Sequence, residues 1–599
     1  MTMRSMIRIG GASGALIDSS LAVPQLLSVD GLDYLIFDYL GEGSMGIFGR
    51  LAAQNPQAGY GADFVDFHVG PYLAELKARG VKAVTNAGGL NPRGLAAALQ
   101  RKASELGLDL RIAAVEGDDL RSEVEALRRE GHRDMFSGAP FPDRVIAANA
   151  YLGAFPIAAA LAKGADIVVT GRVVDSALAL GPLIHEFGWG PDDYDKLAAG
   201  TAAGHLLECG AQVSGGTFTD WQDVPNWEKA GYPVGECRAD GSIVITKPEE
   251  TGGLVSVGTV SEQLLYEVGD PQAYIVPDVV CDFSAATVEQ IGRDRVRISG
   301  IRGYPPTDSC KLCVIHEAGW RSVALTPVIG IDAIAKARRQ ADAVLARMAT
   351  LLPARGLGPW RGTHVEILGS EASFGAHGRI SGNREVVCKI VVDHDDRRAT
   401  DLFWREQTSA IMNMSVGTAI TLALALPPSF PITGLFSCLL PKQRVTARLV
   451  IDDREEAVPD PTRGGFAPGM IERPPVPRPD TAGSVPVKLI TLAWARSGDK
   501  GNLFNVGVIA RDPAALPHIR AALTPEAVAA WYAACTPGDP PPRVEVFDVP
   551  GFHAVNLLVH DSLAGGQNRS PRLDSAAKGM AQHLLEFPVP VPPALAATA

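Results

Sequence analysis

The 599-residue chain holds only eight cysteines, at 209, 237, 281, 310, 313, 388, 438 and 535. That density excludes a disulfide scaffold. Cys310-Lys-Leu-Cys313 has no second pair nearby to complete a four-ligand zinc site. Positive charge is also short: 55 Lys and Arg stand against 67 Asp and Glu, a net charge of −12. A nucleic-acid or anionic-membrane binder needs a basic face, so neither partner is expected. Long apolar runs are lacking as well. The most apolar window, Ser409 to Pro427, is interrupted by Asn413, Ser415, Thr418 and Thr421 and ends in prolines, so it reads as a buried helix and not a membrane span. The first residues show neither the apolar core nor the small-residue cleavage site of a secretory signal, which points to a reduced cytoplasm.

Hydrophobic residues make up 46% of the chain and charged residues 20%, as in an ordinary globular protein, while 63 glycines and 44 prolines make it rich in turns. Over the first 180 residues, apolar runs at Met6–Ile9, Tyr34–Phe37, Val81–Thr85, Arg111–Val115 and Asp166–Thr170 read as strands. Helical runs separate them at Leu21–Val29, Pro71–Arg79, Arg93–Leu106 and Ala147–Leu161. Strands without polar alternation, spaced by helices, predict an α/β fold with a mostly parallel sheet covered on both faces. Residues 200–450 read as an α+β extension. A proline-rich stretch then marks a boundary, dividing the chain into 1–452, a linker 453–486, a small α+β sandwich 487–590 and a tail 591–599.

In parallel sheets ligands bind beyond the carboxyl ends of the strands, and polar residues collect there. Gly10-Gly11-Ala-Ser13-Gly14 follows the first strand, where backbone amides and a helix dipole suit an anion. Asn86 and Asn91 follow the third. Glu116, Asp118 and Asp119 follow the fourth, three carboxylates within four residues. Such crowding raises their pKa values and suits a shared proton, a general acid/base or a divalent cation, although a solvated helix cap is an equal alternative. Arg172, Asp175 and Ser176 follow the last strand. There Asp175 can cap the next helix, and Arg172 can grip a substrate carboxylate or phosphate, or pair internally with Glu116, Asp118 or Asp119.

In the small unit, Arg496-Ser497-Gly-Asp499-Lys500-Gly-Asn502 reads as a glycine loop. Its amides suit an anion nest, with Lys500 reaching a phosphate or carboxylate or pairing with Asp499. His553 and Asn556 on a later strand would line the same face. Glu208-Cys209 offers a base and a thiol, or a buried inert cysteine. His364-Val-Glu366, with His377 nearby, is a weak metal motif. A dinucleotide fingerprint is mimicked by Gly10–Gly14, Asp38 and Asn86, but Leu16 stands where the third glycine belongs, and Tyr151 is followed by Phe155 where a lysine would tune the phenol. A hydrolase reading on Ser13 or Ser176 lacks the nucleophile elbow.

Taken together, Gly10–Gly14, Gly31-Leu-Asp-Tyr-Leu-Ile-Phe-Asp-Tyr39, Thr85-Asn-Ala-Gly-Gly89, Gly171–Pro182, Glu208-Cys-Gly-Ala-Gln212 and Ser497-Gly-Asp-Lys-Gly-Asn502 resemble the AtuA family, named for acyclic terpene utilisation. The resemblance runs over roughly residues 5–587. It implies a large domain fused to a small ferredoxin-fold domain, and a place in bacterial breakdown of citronellol- and geraniol-type terpenes through branched acyl-CoA thioesters. The expected activity is a hydratase- or lyase-type proton transfer on a branched carboxylate or acyl-CoA. Glu116, Asp118, Asp119, Asp175 and Lys500 are the catalytic candidates. The substrate-binding candidates are Gly10, Gly11, Ser13, Gly14, Asn86 and Asn91, then Arg172 and Ser176, then Arg496, Ser497, Asp499 and Asn502. No metal ligand is assigned; the cofactor is either none or a divalent cation. The partner is a small anionic substrate, with a homo-oligomer also possible. The alternative class is a non-catalytic binding or assembly subunit.

Overall fold

The computed structural model describes residues 4–422, 426–473, 479, 482–536 and 539–597. Six strands open the chain: β1 (Met6–Ser13), β2 (Tyr34–Phe37), β3 (Lys82–Thr85), β4 (Ile112–Glu116), β5 (Val145–Ala150) and β6 (Ile167–Thr170). Five of them run parallel in the order β1-β2-β3-β6-β4. All four residues of both β2 and β6 are buried, which is why their sequences show no alternation: helices cover both faces. Antiparallel strands then widen the sheet to eleven. Val234–Arg238 pairs with β1, and Ala447–Ile451 pairs with β4. The hairpin 447–458 carries this sheet past residue 452, so the chain remains part of the large unit at the start of the proline-rich stretch.

β5 leaves for a second sheet. It pairs with the 21-residue strand Ser309–Ile329, which also pairs with Phe430–Pro441 and Glu385–His394. Helices Ala333–Ala354 and Arg397–Thr408 cover this sheet, burying Met348 and Phe403. The apolar window Ser409–Pro427 is not the buried helix expected. Among its described residues α-helix persists only over Ala410–Asn413, and Met412, Val416 and Ile420 stand in water. Met414 leaves helical geometry at φ −122° and ψ −132°, which ends the helix, and the chain then runs beside the long strand. Residues 423–425 of that window lie outside the described residues.

The small unit is a four-stranded antiparallel sheet in the order Ala493–Lys500, Leu503–Ala510, Ala554–Val559, Val544–Val549. Helices Pro525–Cys535 and Met580–Leu584 cover one face of it. Two expectations change here. Val487–Ala493 is not one strand, because Val485–Lys488 pairs with Pro588–Val591 and a helical turn, Leu489–Leu492, follows. Arg496, Ser497 and Asp499 lie on a strand and not in a loop: Lys500 pairs with Leu503, leaving only Gly501-Asn502 as the turn, with Gly501 at φ 64°.

The other face of the small sheet docks on the large unit through hydrogen bonds. Asp220 takes both Arg511 guanidinium nitrogens at 2.6 Å and the Trp494 indole at 2.7 Å. Asn556 donates to the Val268 and Gly269 carbonyls. A strap at 569–573 crosses to the second sheet, where buried Arg321 and Lys389 donate to the Ser570 and Pro571 carbonyls.

The glycines of Gly10–Gly14 sit mostly within β1, not in a helix-opening turn. They admit close packing: a Cβ on Gly11 would stand 2.3 Å from the Leu207 carbonyl oxygen, and one on Gly10 3.0 Å from the Leu26 side chain. Gly11→Ala should therefore destabilise the fold by about 1–3 kcal/mol. Thermal and chemical denaturation measure this, and a melting temperature equal to the wild type's would contradict the packing role.

Candidate functional site

A cavity of about 750 Å³ opens at the carboxyl ends of β1, β2 and β6. Residues 14–16 and 38–44 contribute one wall, and Arg172 to Asp175 another. Glu208 and Cys209 enter from the end of helix Tyr194–Leu207, and Lys311 from the second sheet. Asp499, Lys500 and Lys578 of the small unit close it. Leu16, Ile47, Met135, Ile275, Val276 and Leu439 form its apolar side.

Arg172 is the cation on the strand ends. Its backbone N–H donates to Asp118 Oδ2 at 2.8 Å, and that oxygen also accepts Asn149 Nδ2 at 2.7 Å. Its guanidinium donates to the Leu40 carbonyl (2.6 Å), Asp175 Oδ1 (2.7 Å) and the Tyr151 hydroxyl (2.9 Å), and lies 4.3 Å from the Tyr151 ring centre. Three carboxyls nearby are raised by burial, to different degrees. Burial lifts Asp118 to about 7, but Asp118 does not line the cavity. Burial lifts Asp175 to about 6 against the pull of Arg172. Asp38 is pushed well above the usual carboxylate range by burial, then by the charges of Asp175 and Glu208. Asn86 fixes Asp38 in place, donating to its Oδ1 at 2.6 Å while accepting the Tyr39 N–H at 2.7 Å. Burial thus favours the protonated form at both of these cavity carboxyls, Asp38 and Asp175.

The small unit contributes an ionic edge. Glu267 stands at φ 58°, its N–H held by Asn505 Oδ1 at 2.9 Å. Its carboxylate meets Lys500 at 3.3 Å and Lys578 at 3.1 Å. Burial would raise this carboxyl, but the two ammonium groups outweigh it and hold it at about 2. Lys578 also bonds the Tyr266 hydroxyl and lies 3.5 Å from Asp499, which burial lifts to about 6. Burial likewise acts to raise Glu42, yet Lys311, Lys500 and Arg172 keep it below the usual range. Among the described residues the Lys311 ammonium makes no ion pair; it lies 5.7 Å from the Tyr151 ring centre.

Of the catalytic and substrate-binding candidates, Gly14, Arg172, Asp175, Asp499 and Lys500 line this cavity, as do Glu208 and Cys209. The other candidates stand elsewhere. The three crowded carboxylates point apart: Glu116 pairs with Arg93, Asp119 with Arg121, and Asp118 turns inward. Asn91 caps the helix Pro92–Glu105. Ser13 donates to the Ala15 and Asp38 carbonyls, and Ser176 is buried before the helix Ala177–Phe187. Arg496 lies buried between the units, donating to Gln263 and Gln212, with its guanidinium 3.9 Å from the Tyr266 ring centre. Ser497 donates to the Ala577 carbonyl, and Asn502 bonds Asp561 and the Gly565 N–H.

Asp38, Glu42, Lys311, Glu267 and Lys578 were not among the candidates. Asp38 carried the same signal as the others, a polar residue ending an apolar strand. Lys311, Glu267 and Lys578 carry none, because only tertiary contacts bring them here. Glu208 Oε1 lies 3.0 Å from His205 Nδ1, and burial pushes the Cys209 thiol far up, so the thiol is neutral. Cys310 and Cys313 are three apart on one strand and face opposite sides. His364 meets Glu366 at 3.5 Å, and His377 stacks on Trp531 with ring centres 3.9 Å apart. Among the described residues no group of three His, Cys, Asp or Glu could hold a metal ion, and no helix is long and apolar enough to cross a membrane.

Residues 7–451 match the family described as acyclic terpene utilisation family protein AtuA, and residues 487–590 match the AtuA ferredoxin-like domain. No curated protein and no solved structure matches the chain.

Burial at Asp118 yields a test of this anchor. The folded chain binds this proton more tightly than the unfolded chain, so the Asp118 contribution to stability falls as pH rises from its unfolded value of 3.8 through about 7. Asp118→Asn removes that titration. The variant should gain on the wild type by a few kcal/mol between roughly pH 4 and pH 8, as read by denaturant unfolding at each pH. A stability difference independent of pH would refute the assignment.

Proposed function

The chain belongs to the AtuA family, and from that premise we propose that it is an enzyme of acyclic-terpene breakdown. It acts on a branched unsaturated carboxylate or acyl-CoA intermediate by hydratase-type proton transfer. The observation that carries this reading is a pair of buried carboxyls in one cavity with an apolar side, Asp175 lifted to about 6 and Asp38 pushed well above the usual range by burial and by the charge of Asp175. Two carboxyls that burial and charge hold above the usual range can divide the roles of base and acid.

The roles follow from charge. The ionised Asp175 takes a proton from a water whose oxygen bonds to the β-carbon of the conjugated substrate. The π pair moves toward the α-carbon and the carbonyl oxygen, and Asp38, whose protonated form burial favours, delivers the proton that the α-carbon gains. The sum is alkene plus water to alcohol, and solvent resets the pair. Lys311 and Lys500 face the cavity and offset negative charge developing on the carbonyl or carboxylate oxygen. Arg172, bonded to Leu40, Asp175 and Tyr151, positions Asp175. The branched chain packs on Ile47, Ile275 and Leu439.

Asp175→Asn should lower kcat by about 10²- to 10⁴-fold, with little change in melting temperature. Wild-type kcat/KM should fall as pH drops through about 6, where Asp175 becomes protonated. The measurement is hydration of branched enoyl-CoA thioesters and free enoic acids, followed by loss of the conjugated absorbance. Full activity in Asp175→Asn would sink the proposal. Binding of these compounds without turnover by the wild type would favour an assembly or carrier subunit.

A further inference from the structure

Away from the cavity, one stretch of surface has the composition of an interior. Ile329, Ile331, Met412, Val416, Ile420 and Leu422 are between 50% and 87% exposed. Backbone contacts place Val416 and Ile420 beside Ile329, with the other three residues close to them in sequence. The Ala419 N–H donates to the Pro327 carbonyl and the Ile329 N–H to the Gly417 carbonyl, both at 2.9 Å. Lys336 ties down the same junction, donating to the Val416 carbonyl at 2.9 Å and the Ile329 carbonyl at 3.1 Å. The exposed side chains therefore ride on a segment fixed beside the end of the long strand Ser309–Ile329.

Size and charge indicate what covers this face. Six aliphatic side chains at these exposures leave on the order of 700 Å² of apolar surface in water. That exceeds the largest patch of a typical monomer, ~300–600 Å², and approaches the ~800 Å² that each partner buries in a stable dimer. The sequence from Gln407 to Pro441 carries no charged side chain. Laid against itself, such a face meets no like-charge repulsion at its centre, and it offers nothing for a charged partner to recognise. Its border carries both signs, with Asp332 exposed beside Ile331 and Lys336 beside Val416. A two-fold axis can match these reciprocally.

We propose that this face is a self-association surface, occupied by a second copy of the chain in a two-fold dimer. The partner copy supplies the cover that Met412, Val416 and Ile420 lack in the single chain. None of these six residues lines the cavity, so the inference stands whether or not the proposed reaction is correct.

The test is the mass of the full-length protein at micromolar concentration, by sedimentation equilibrium or light scattering. The wild type should weigh twice its chain mass of 63.2 kDa. Val416→Glu and, separately, Ile420→Lys should weigh one chain mass. Both positions are exposed, so their circular dichroism spectra should match the wild type's. A monomeric wild type would overturn the proposal, as would well-folded variants that remain dimeric. A monomeric wild type that floats with vesicles of phosphatidylethanolamine and phosphatidylglycerol would assign the face to a lipid surface instead.

Discussion

Where the ends of β4, β5 and β6 meet, the Asp118 carboxyl receives the Arg172 backbone N–H and the Asn149 side-chain amide. The cavity rests on this contact, although Asp118 does not line it. A buried carboxyl costs several kcal/mol unless it is protonated or well hydrogen-bonded, and here the cost is offset by donors from two other strand ends. The geometry is fixed further by Gly171, since a Cβ there would stand 2.3 Å from Asp118 Oδ1. Once the Arg172 backbone is placed, its guanidinium has three oxygen partners within 3 Å, and through them Asp175, Tyr151 and the 38–44 wall take their positions.

The second support is the docking of the small sheet. Buried amides and paired charges hold it beside an apolar contact, in which Ile509, Val549, Phe552 and Ala554 share a core cluster with Leu264 and Leu265. Asn505 and Asn556 each bind backbone of the segment 265–269, so the left-handed Glu267 is presented to Lys500 and Lys578 by the unit those lysines belong to. Left-handed geometry at a non-glycine residue costs on the order of 1 kcal/mol. Glu267 keeps it because the interface determines its place from both sides.

Strand order along the first 180 residues was legible because parallel strands buried on both faces write themselves as unbroken apolar runs. The rule that sites lie beyond strand ends found Arg172 and Asp175. It could not rank them against Glu116 and Asp119, which share the composition but are neutralised by Arg93 and Arg121 at the surface. Spacing alone also misread the Arg496–Asn502 run. Small and polar residues there signalled a loop, yet they form a strand whose smallness serves close approach: a Cβ on Gly498 would lie 2.5 Å from Tyr266. Lys311, Glu267 and Lys578 were beyond reach, since each acts only through a partner hundreds of residues away or on another sheet.

The order in which the chain is made bears on the two-residue turn at Gly501-Asn502. That turn sets Lys500 at the cavity, and Lys578 follows later still, after every strand of the large sheets has been synthesised. Of the four Lys and Arg side chains that line the cavity, Arg172 and Lys311 belong to the large unit, and Lys500 and Lys578 are supplied by the small unit. The acidic wall and half of the positive charge that balances it thus come from different folding units.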